Sequence, residues 1–428
     1  MTNPTPAERA GVLTGPAVTD AAPVPTPQTA ERPKSKCEVG WRRIVRNFTP
    51  SWFAVNMGTG IVSVLLHNLP YTAAWVRYAS YAFFCANAGL FAAFVAVSAL
   101  RYALYPELWW AMVAHPAQSL FLGCVPMGLA TIINMMILSC AHWGPWLVHV
   151  AWAFWWADVL LSMATCISMP FVVMHRHKPG LQTTTAALLL PVVPAVVASA
   201  TGGLVADALL AAAQPRRAAL TLVASYVLWG LGQALSACVL ALYFHRLTVH
   251  SLPPREAIVS VFLPVGPFGQ GGFAIQQLGR VALALARLPD APPLCFGGPG
   301  GLDPERAAEV LCVLGVFLGL VMWGFALVWV CFALISLATT HRFPFNMGWW
   351  GFTFPLGVWA TCTGMLATNL DSGFFKIATT VISLSVFLLW LMVASRTLHL
   401  ALTGDIFFAP CLKDLRDKEQ TSGCDKEV

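Results

Sequence analysis

Charge is what this sequence has least of. Asp, Glu, Lys and Arg make up 10% of its 428 residues, where a soluble protein carries about a quarter. A chain so poor in charge is not a soluble globular protein. The twelve cysteines contain no C-x-x-C pair and no Cys/His spacing suited to a metal, so no zinc domain or dithiol redox centre is expected. H-E-x-x-H, a phosphate loop and a nucleophile–base pair are missing too, which leaves an enzyme reading without a site and calls for no cofactor. The first thirty-odd residues have no apolar core, so they form neither a signal peptide nor a membrane span. The net charge of +6 sits in loops and tails, a pattern that sets membrane orientation and gives no sign of nucleic acid.

What the sequence has instead is apolar length. Hydrophobic residues make up 57% of it, in repeated runs of roughly 20, the length that crosses a bilayer as helix. Ten spans are predicted in an all-α integral membrane fold: Phe48–Leu69, Ala74–Leu104, Ser119–Cys140, Trp146–Met169, Thr185–Ala213, Leu220–His245, Ala257–Leu285, Ala307–Thr339, Gly348–Leu370 and Phe374–Leu402. Basic residues near the span ends favour one side by roughly two to one, which places both termini in the cytoplasm. Residues 1–40 read as a disordered cytoplasmic tail, 41–403 as the membrane domain and 404–428 as a charged cytoplasmic tail. The glycosylation sequon Asn47-Phe-Thr49 then faces the cytoplasm and should stay bare. The loop Arg287–Glu305, rich in Pro and Gly, reads as an exposed outer cap. Cys140 and Cys295 fall in outer loops, but no spacing argument pairs them. Trp109, Trp110, Trp143 and Trp146 lie near span ends and suit an interfacial belt.

Proline alternates along the chain. Spans three, five, seven and nine hold Pro126, Pro191 with Pro194, Pro264 with Pro267, and Pro355; span one has Pro50 near its start, with Gly58 and Gly60 inside. Spans two, six, eight and ten have no internal proline, and span four has Pro170 at its end. Lipid cannot satisfy the backbone groups that proline frees, so broken helices need protein or water around them. The spacing therefore predicts five helical hairpins, with an inner ring of odd helices around a central pore and the even helices outside. The most interrupted stretch, Ala257–Leu278, carries Pro264, Gly266, Pro267, Gly269, Gly271 and Gly272. It suits either tight helix packing or a solute site at the bilayer midplane.

No acid lies deep in an odd span, whereas a cation pathway would call for rings of Asp or Glu. Hydroxyls, amides and helix N-termini offer donors instead, which suit an anion. Asn56, Thr59, Ser119, Gln270 and Thr353 are the candidates for the pathway, and Phe53, Phe121, Phe262, Phe273 and Phe354 for a phenyl gate near the helix breaks. His67 and His115, at ends of odd helices, are candidates for proton coupling. Asp158, on span four among Trp152, Trp155 and Trp156, is expected to play a structural hydrogen-bonding role. His175 and His177 are assigned to a cytoplasmic basic cluster.

Four stretches carry a resemblance: Phe48-Thr-Pro-Ser-Trp-Phe-Ala-Val-Asn-Met-Gly-Thr-Gly-Ile61, His115-Pro-Ala-Gln-Ser-Leu-Phe-Leu-Gly123, Leu263-Pro-Val-Gly-Pro-Phe-Gly-Gln-Gly-Gly-Phe273 and Trp349-Trp-Gly-Phe-Thr-Phe-Pro-Leu356. They resemble the tellurite-resistance/dicarboxylate transporter family, and within it most of all the fungal sulfite efflux pumps. The second stretch is shared with fungal malate permeases. The resemblance spans Phe48 to Leu402 and implies five hairpins, a pore within each subunit and a homotrimer, on a fold shared with plant slow anion channels. It also implies that Phe354, in its Thr-Phe-Pro setting, occludes the pore. It carries no substrate-contacting residue over to this chain.

The expectation is thus a plasma-membrane exporter of sulfite or bisulfite, with a C4-dicarboxylate (malate) permease as the alternative. A receptor or scaffold that transports nothing is a further rival.

Overall fold

The computed structural model describes residues 40–177, 180–289, 303–340 and 342–412. Residues 1–39 and 413–428, and the stretch 290–302 with Cys295, lie outside the described residues, and so do the expectations that fall on them.

All ten segments read as spans are helical, and no strand occurs among the described residues. The odd segments share one construction. Each begins as a 3-10 stretch and passes into an α-helix: Pro50–Trp52 into α2 (Phe53–His67), Ser119–Gly123 into α5 (Cys124–Met135), and Ala186–Leu189 into α7 (Val193–Ala211). Likewise Arg255–Phe262 leads into α9 (Val265–Ala286) and Met347–Phe352 into α11 (Thr353–Asn369). The even segments are long α-helices: α3 (Ala74–Leu104), α6 (Pro145–Val172), α8 (Pro215–His250), α10 (Pro304–Thr339) and α12 (Gly373–Thr403). Two short helices, α1 (Trp41–Arg46) and α4 (Glu107–Ala114), were not read from the sequence.

The prolines account for these two-part helices. Proline lacks an N–H, so it leaves the carbonyl four residues before it without its α-helical partner. The chain satisfies several of these carbonyls with tighter i→i+3 bonds. Ser260 O, freed by Pro264, accepts from Leu263 N at 3.0 Å, and Leu263 O, freed by Pro267, accepts from Gly266 N at 2.9 Å. Ala187 O, freed by Pro191, accepts from Leu190 N at 3.0 Å. Arg46 O, free because α1 ends there, is reached by a side chain, with Arg101 Nε donating at 3.1 Å.

The inner helices close into a ring in the order α2, α5, α7, α9, α11 and back to α2, and each packs against the even helix that follows it. Glycine sets the approach at every joint of this ring. A Cβ on Gly60 would sit 2.0 Å from Thr131 Oγ1, and one on Gly123 1.9 Å from Leu190 O. Gly203 meets Gln277, Gly269 meets the Trp359 backbone, and Gly357 meets Ile61, each closer than 3.0 Å. In the seventh segment Gly269, Gly271, Gly272 and Gly279 serve packing, whereas a Cβ on Gly266 would meet nothing within 4 Å, and the prolines serve the break. Burial follows the same alternation. In the most apolar window of each helix, 78% of residues are buried in the fifth and seventh segments, against 6% in α3 and 17% in α10. Faces so apolar and so exposed belong against lipid.

Eight helical segments are long and apolar enough to cross a membrane by themselves among the described residues. The first and ninth segments contain α-helices of 15 and 17 residues, each lengthened by its 3-10 lead-in. The sequence misplaces some limits. The sixth span runs Pro215–His250 rather than Leu220–His245, because charged and polar flanks continue the helix beyond its apolar part. Gly404–Leu412 packs back on the helices: Ala409, Cys411 and Leu412 share a buried cluster with Leu108, Met112 and Met169.

Candidate functional site: two cavities and the neck between them

Among the described residues, two cavities lie along the axis of the ring. One, of about 760 Å³, is lined by the N-terminal ends of all five inner segments, with Ser51, Gln118, Thr184, Ser260 and Asn346 among its polar groups. The other, of about 640 Å³, lies toward their C-terminal ends and is lined by Thr131, Asn134, Gln270, Gln277 and Thr361 among others. Between them is a neck of about 20 Å³. Every inner segment contributes to it: Met57, Met127, Leu190 with Val193, Leu263 with Gly266, and Phe354 with Pro355. Met57, Leu190 and Leu263 also face the first cavity, and Phe354 also faces the second. A space holding a single water takes at least roughly 10–15 Å³. The neck is therefore shut to any anion of several atoms, and its apolar lining sheds water as well.

The gate candidates separate. Phe354 is 3% exposed and forms the C-side wall of the neck. Phe121 lines the first cavity and Phe273 the second. Phe53 is a correction: its ring stands edge-on to Phe91 at 5.6 Å and Phe94 at 6.1 Å on α3, turned away from the neck. Phe262 is another, packed edge-on against Phe352 at 5.1 Å within a buried cluster. In both cases the aromatic ring gains more from an aromatic neighbour than from a cavity wall.

The polar candidates divide in the same way. Gln270 lines the second cavity. Asn56 turns to α3, where its Nδ2 donates to Asn87 Oδ1 at 3.1 Å and to Asn87 O at 3.2 Å. Thr59 accepts from Trp390 Nε1 of α12 at 3.1 Å, and Thr353 donates to Trp350 O at 2.9 Å. Asn56 and Thr59 join helices, Thr353 bonds back within its own segment, and none of the three lines the cavities described. Ser119 is fully buried beside the first cavity, with no partner for its Oγ among the described residues. His67 lies at the C-terminal end of α2 near Tyr81, with ring centroids 6.2 Å apart. His115 Nδ1 accepts from Ala117 N at 3.1 Å and Gln118 N at 3.2 Å, as a turn cap before the third segment. Neither histidine lines either of these cavities or the neck.

Sequence reasoning missed Met57, Met127, Leu190 and Leu263, since methionine and leucine in an apolar helix carry no signal of their own. It also missed Gln277. His177, read as part of a basic loop, lines the first cavity with Nε2 3.1 Å from Val113 O. Asp158 departs from expectation. It is fully buried on α6, yet neither carboxylate oxygen has a donor among the described residues. Exposed Trp110, Trp143 and Trp146 fit the interfacial belt.

Four charged side chains line the two cavities, and none lines the neck. Arg280, Lys376 and Asp207 line the second cavity and Glu256 the first. The hydrogen bond from Lys376 Nζ, at 2.7 Å, holds the carboxyl of Asp371 below the usual carboxylate range. No grouping of His, Cys, Asp and Glu suited to a metal occurs among the described residues.

A closed ring of helices, cavities with scattered polar groups at both ends and a neutral apolar neck between them define a helical membrane protein built as a conduit for small solutes. Residues 47–398 match the family described as SLAC1, voltage-dependent anion channel, and the chain belongs to that family. It is 45% identical over 364 residues to the sulfite efflux pump SSU1 of Arthroderma otae, covering 85% of this chain and 93% of that protein. To the pump of that name from Trichophyton rubrum it is 44% identical over the same shares. It is 23% identical over 370 residues to the malic acid transport protein of Schizosaccharomyces pombe, covering 85% of this chain and 81% of that protein. The relatives are named as transporters and the family as a channel, so the chain belongs among transport proteins and not among enzymes.

Proposed function

We propose that this protein exports sulfite or bisulfite from the cytoplasm across the plasma membrane, through a pore of its own in each protomer. The observation that carries the reading is the neck: five inner helices converge on it, and none brings an acid to it. A neutral passage flanked by amides and hydroxyls disfavours anions less than a ring of carboxylates would. The sulfite pumps at 44–45% identity supply the substrate, and the malic acid transporter at 23% is the more distant relative.

In this reading the chain crosses ten times, both termini are cytoplasmic, and the first cavity opens to the cytoplasm. An inside-negative potential drives a monovalent anion outward with about 2.3 kcal/mol per 100 mV, so export needs no second substrate. Bisulfite loses its second proton near neutral pH, and a neutral neck favours the singly charged form. Phe354 is the gate, with Phe121 and Phe273 standing at the two cavities. Gln270 belongs to the anion path. Three protomers assemble as a trimer, as the family resemblance implies.

The test has two arms. Cells lacking the protein should be sensitive to sulfite and be rescued by its expression. In proteoliposomes, sulfite efflux should persist in the presence of malate. Efflux of malate in preference to sulfite would replace this reading with the dicarboxylate permease, and an absence of flux of either would leave a receptor or scaffold.

A further inference from the structure

Two amides on one helix face the second cavity without a protein partner among the described residues, and Asn134 Oδ1 and Ser383 Oγ are unpartnered elsewhere in its lining. Gln270 and Gln277 are only 5% and 4% exposed, both line that cavity, and neither amide bonds to a protein group among the described residues. Their polar atoms stay open to the cavity, where a solute can reach them. The two stand seven residues apart on α9, so they share one face about 10.5 Å apart along the axis. Gln270 is one turn beyond Gly266, which lines the neck. Arg280 follows Gln277 by three residues, and its bond among the described residues is a weak one, from Nη1 to Met365 Sδ at 3.5 Å. Lys376 is already held by Asp371.

The chemistry of this stripe is that of donors in series. Amide N–H groups and a guanidinium suit a small oxyanion with several acceptor oxygens. Gly203 of α7 fixes the middle of the stripe, since a Cβ there would meet Gln277 Cγ at 2.9 Å. Asp207, one turn beyond Gly203, is the one acid of the lining and lies near the level of Arg280. An anion reaching Arg280 therefore meets opposed charges and is not trapped. Successive weak stations are what conduction needs, because a single strong site would hold the ion.

We propose that α9 carries an exit track for a small oxyanion, with Gln270 receiving it just beyond the Phe354 ring and Gln277, with Arg280, passing it to the mouth. The direction of travel rests on the export reading; the binding does not. The experiment is equilibrium binding of labelled sulfite to the full-length protein in nanodiscs, paired with sulfite efflux from proteoliposomes. The variants are Gln270→Leu, Gln277→Leu and Gln277→Glu, with thermal unfolding as a check on folding. Gln277→Glu keeps the size of the side chain and adds a negative charge, so it reports even if the leucine variants fold poorly.

The wild type should bind sulfite saturably. Each leucine variant should bind about tenfold more weakly, as loss of one charge-assisted hydrogen bond implies, and Gln277→Glu more weakly still. Failure of the wild type to bind, or affinities within about twofold of the wild type in all three variants, would overturn the track. Binding with the expected pattern but without flux would sink export and leave the site. Normal export with unaltered binding in the variants would sink the track and leave export.

Discussion

Arg101 has no carboxylate partner among the described residues, although its guanidinium is fully buried. It donates to Arg46 O, to Tyr102 Oη at 3.3 Å and to Cys411 Sγ at 3.8 Å. It therefore ties the end of α1 to the segment that follows α12. Arg101→Ala should destabilise the protein by about 2–3 kcal/mol, the scale for losing hydrogen bonds to a buried charge. Thermal unfolding checks this, and Arg101→Lys should recover part of the loss. Asn56 and Met57 show how far single residues were legible. They are neighbours about 100° apart around one helix, and Asn56 meets α3 while Met57 lines the neck. Sequence pattern locates the helix but not its rotation to that accuracy, so polarity alone chose Asn56 and passed over Met57. Asn56→Ala should lower the unfolding temperature and leave flux per folded protein unchanged. Met57→Ala should raise flux with little loss of fold. Phe354 was legible because it stands in a family motif, and Gln270 because it is an amide beside the helix breaks, whereas Gln277, in the same span with Ser260, Gln276 and Arg280, was passed over.

At the scale of the element, the alternation of proline was a sound guide to which helices lie inside. Proline disables the same backbone bond wherever it stands, so its burial is forced. The form of the break was not legible, because the sequence does not say whether a freed carbonyl will be met by a bend, a side chain or a 3-10 bond. The sequence also left two roles open for the glycines, and at the ring joints they are contact points. Gly60→Val would drive a side chain into Thr131, already 2.0 Å from a Cβ. It should cost about 1–3 kcal/mol or more, as overpacking does. A Cβ on Gly89 of α3 would meet nothing within 4 Å. Gly89→Ala should be neutral or stabilise by up to about 1 kcal/mol through helix propensity. The pair, measured by thermal unfolding in one detergent, separates joint glycines from exposed ones.

For the molecule as a whole, a ring of hairpins with parallel inner helices gives the cavities unlike ends. One is built from 3-10 turns and the starts of helices, the other from their C-terminal halves. Asn47 donates from Nδ2 to Arg43 O at 2.9 Å and accepts from Ala409 N at 3.0 Å, and in the proposed topology it faces the cytoplasm. Mass spectrometry of the protein from a secretory-competent host should find this sequon unmodified. The fold was legible at this scale because ten apolar runs leave few other arrangements, whereas the closure of the neck depends on side-chain volumes that only the assembled ring defines.

The most direct measurement is the anion current through the purified protein and through Phe354→Ala under stepped membrane potentials. The expected result is a sulfite current that follows the potential and rises about tenfold or more once the ring is removed from a hydrophobic constriction. A flux indifferent to potential, together with a Phe354→Ala current equal to that of the wild type, would contradict a gated conduit at the centre of this ring.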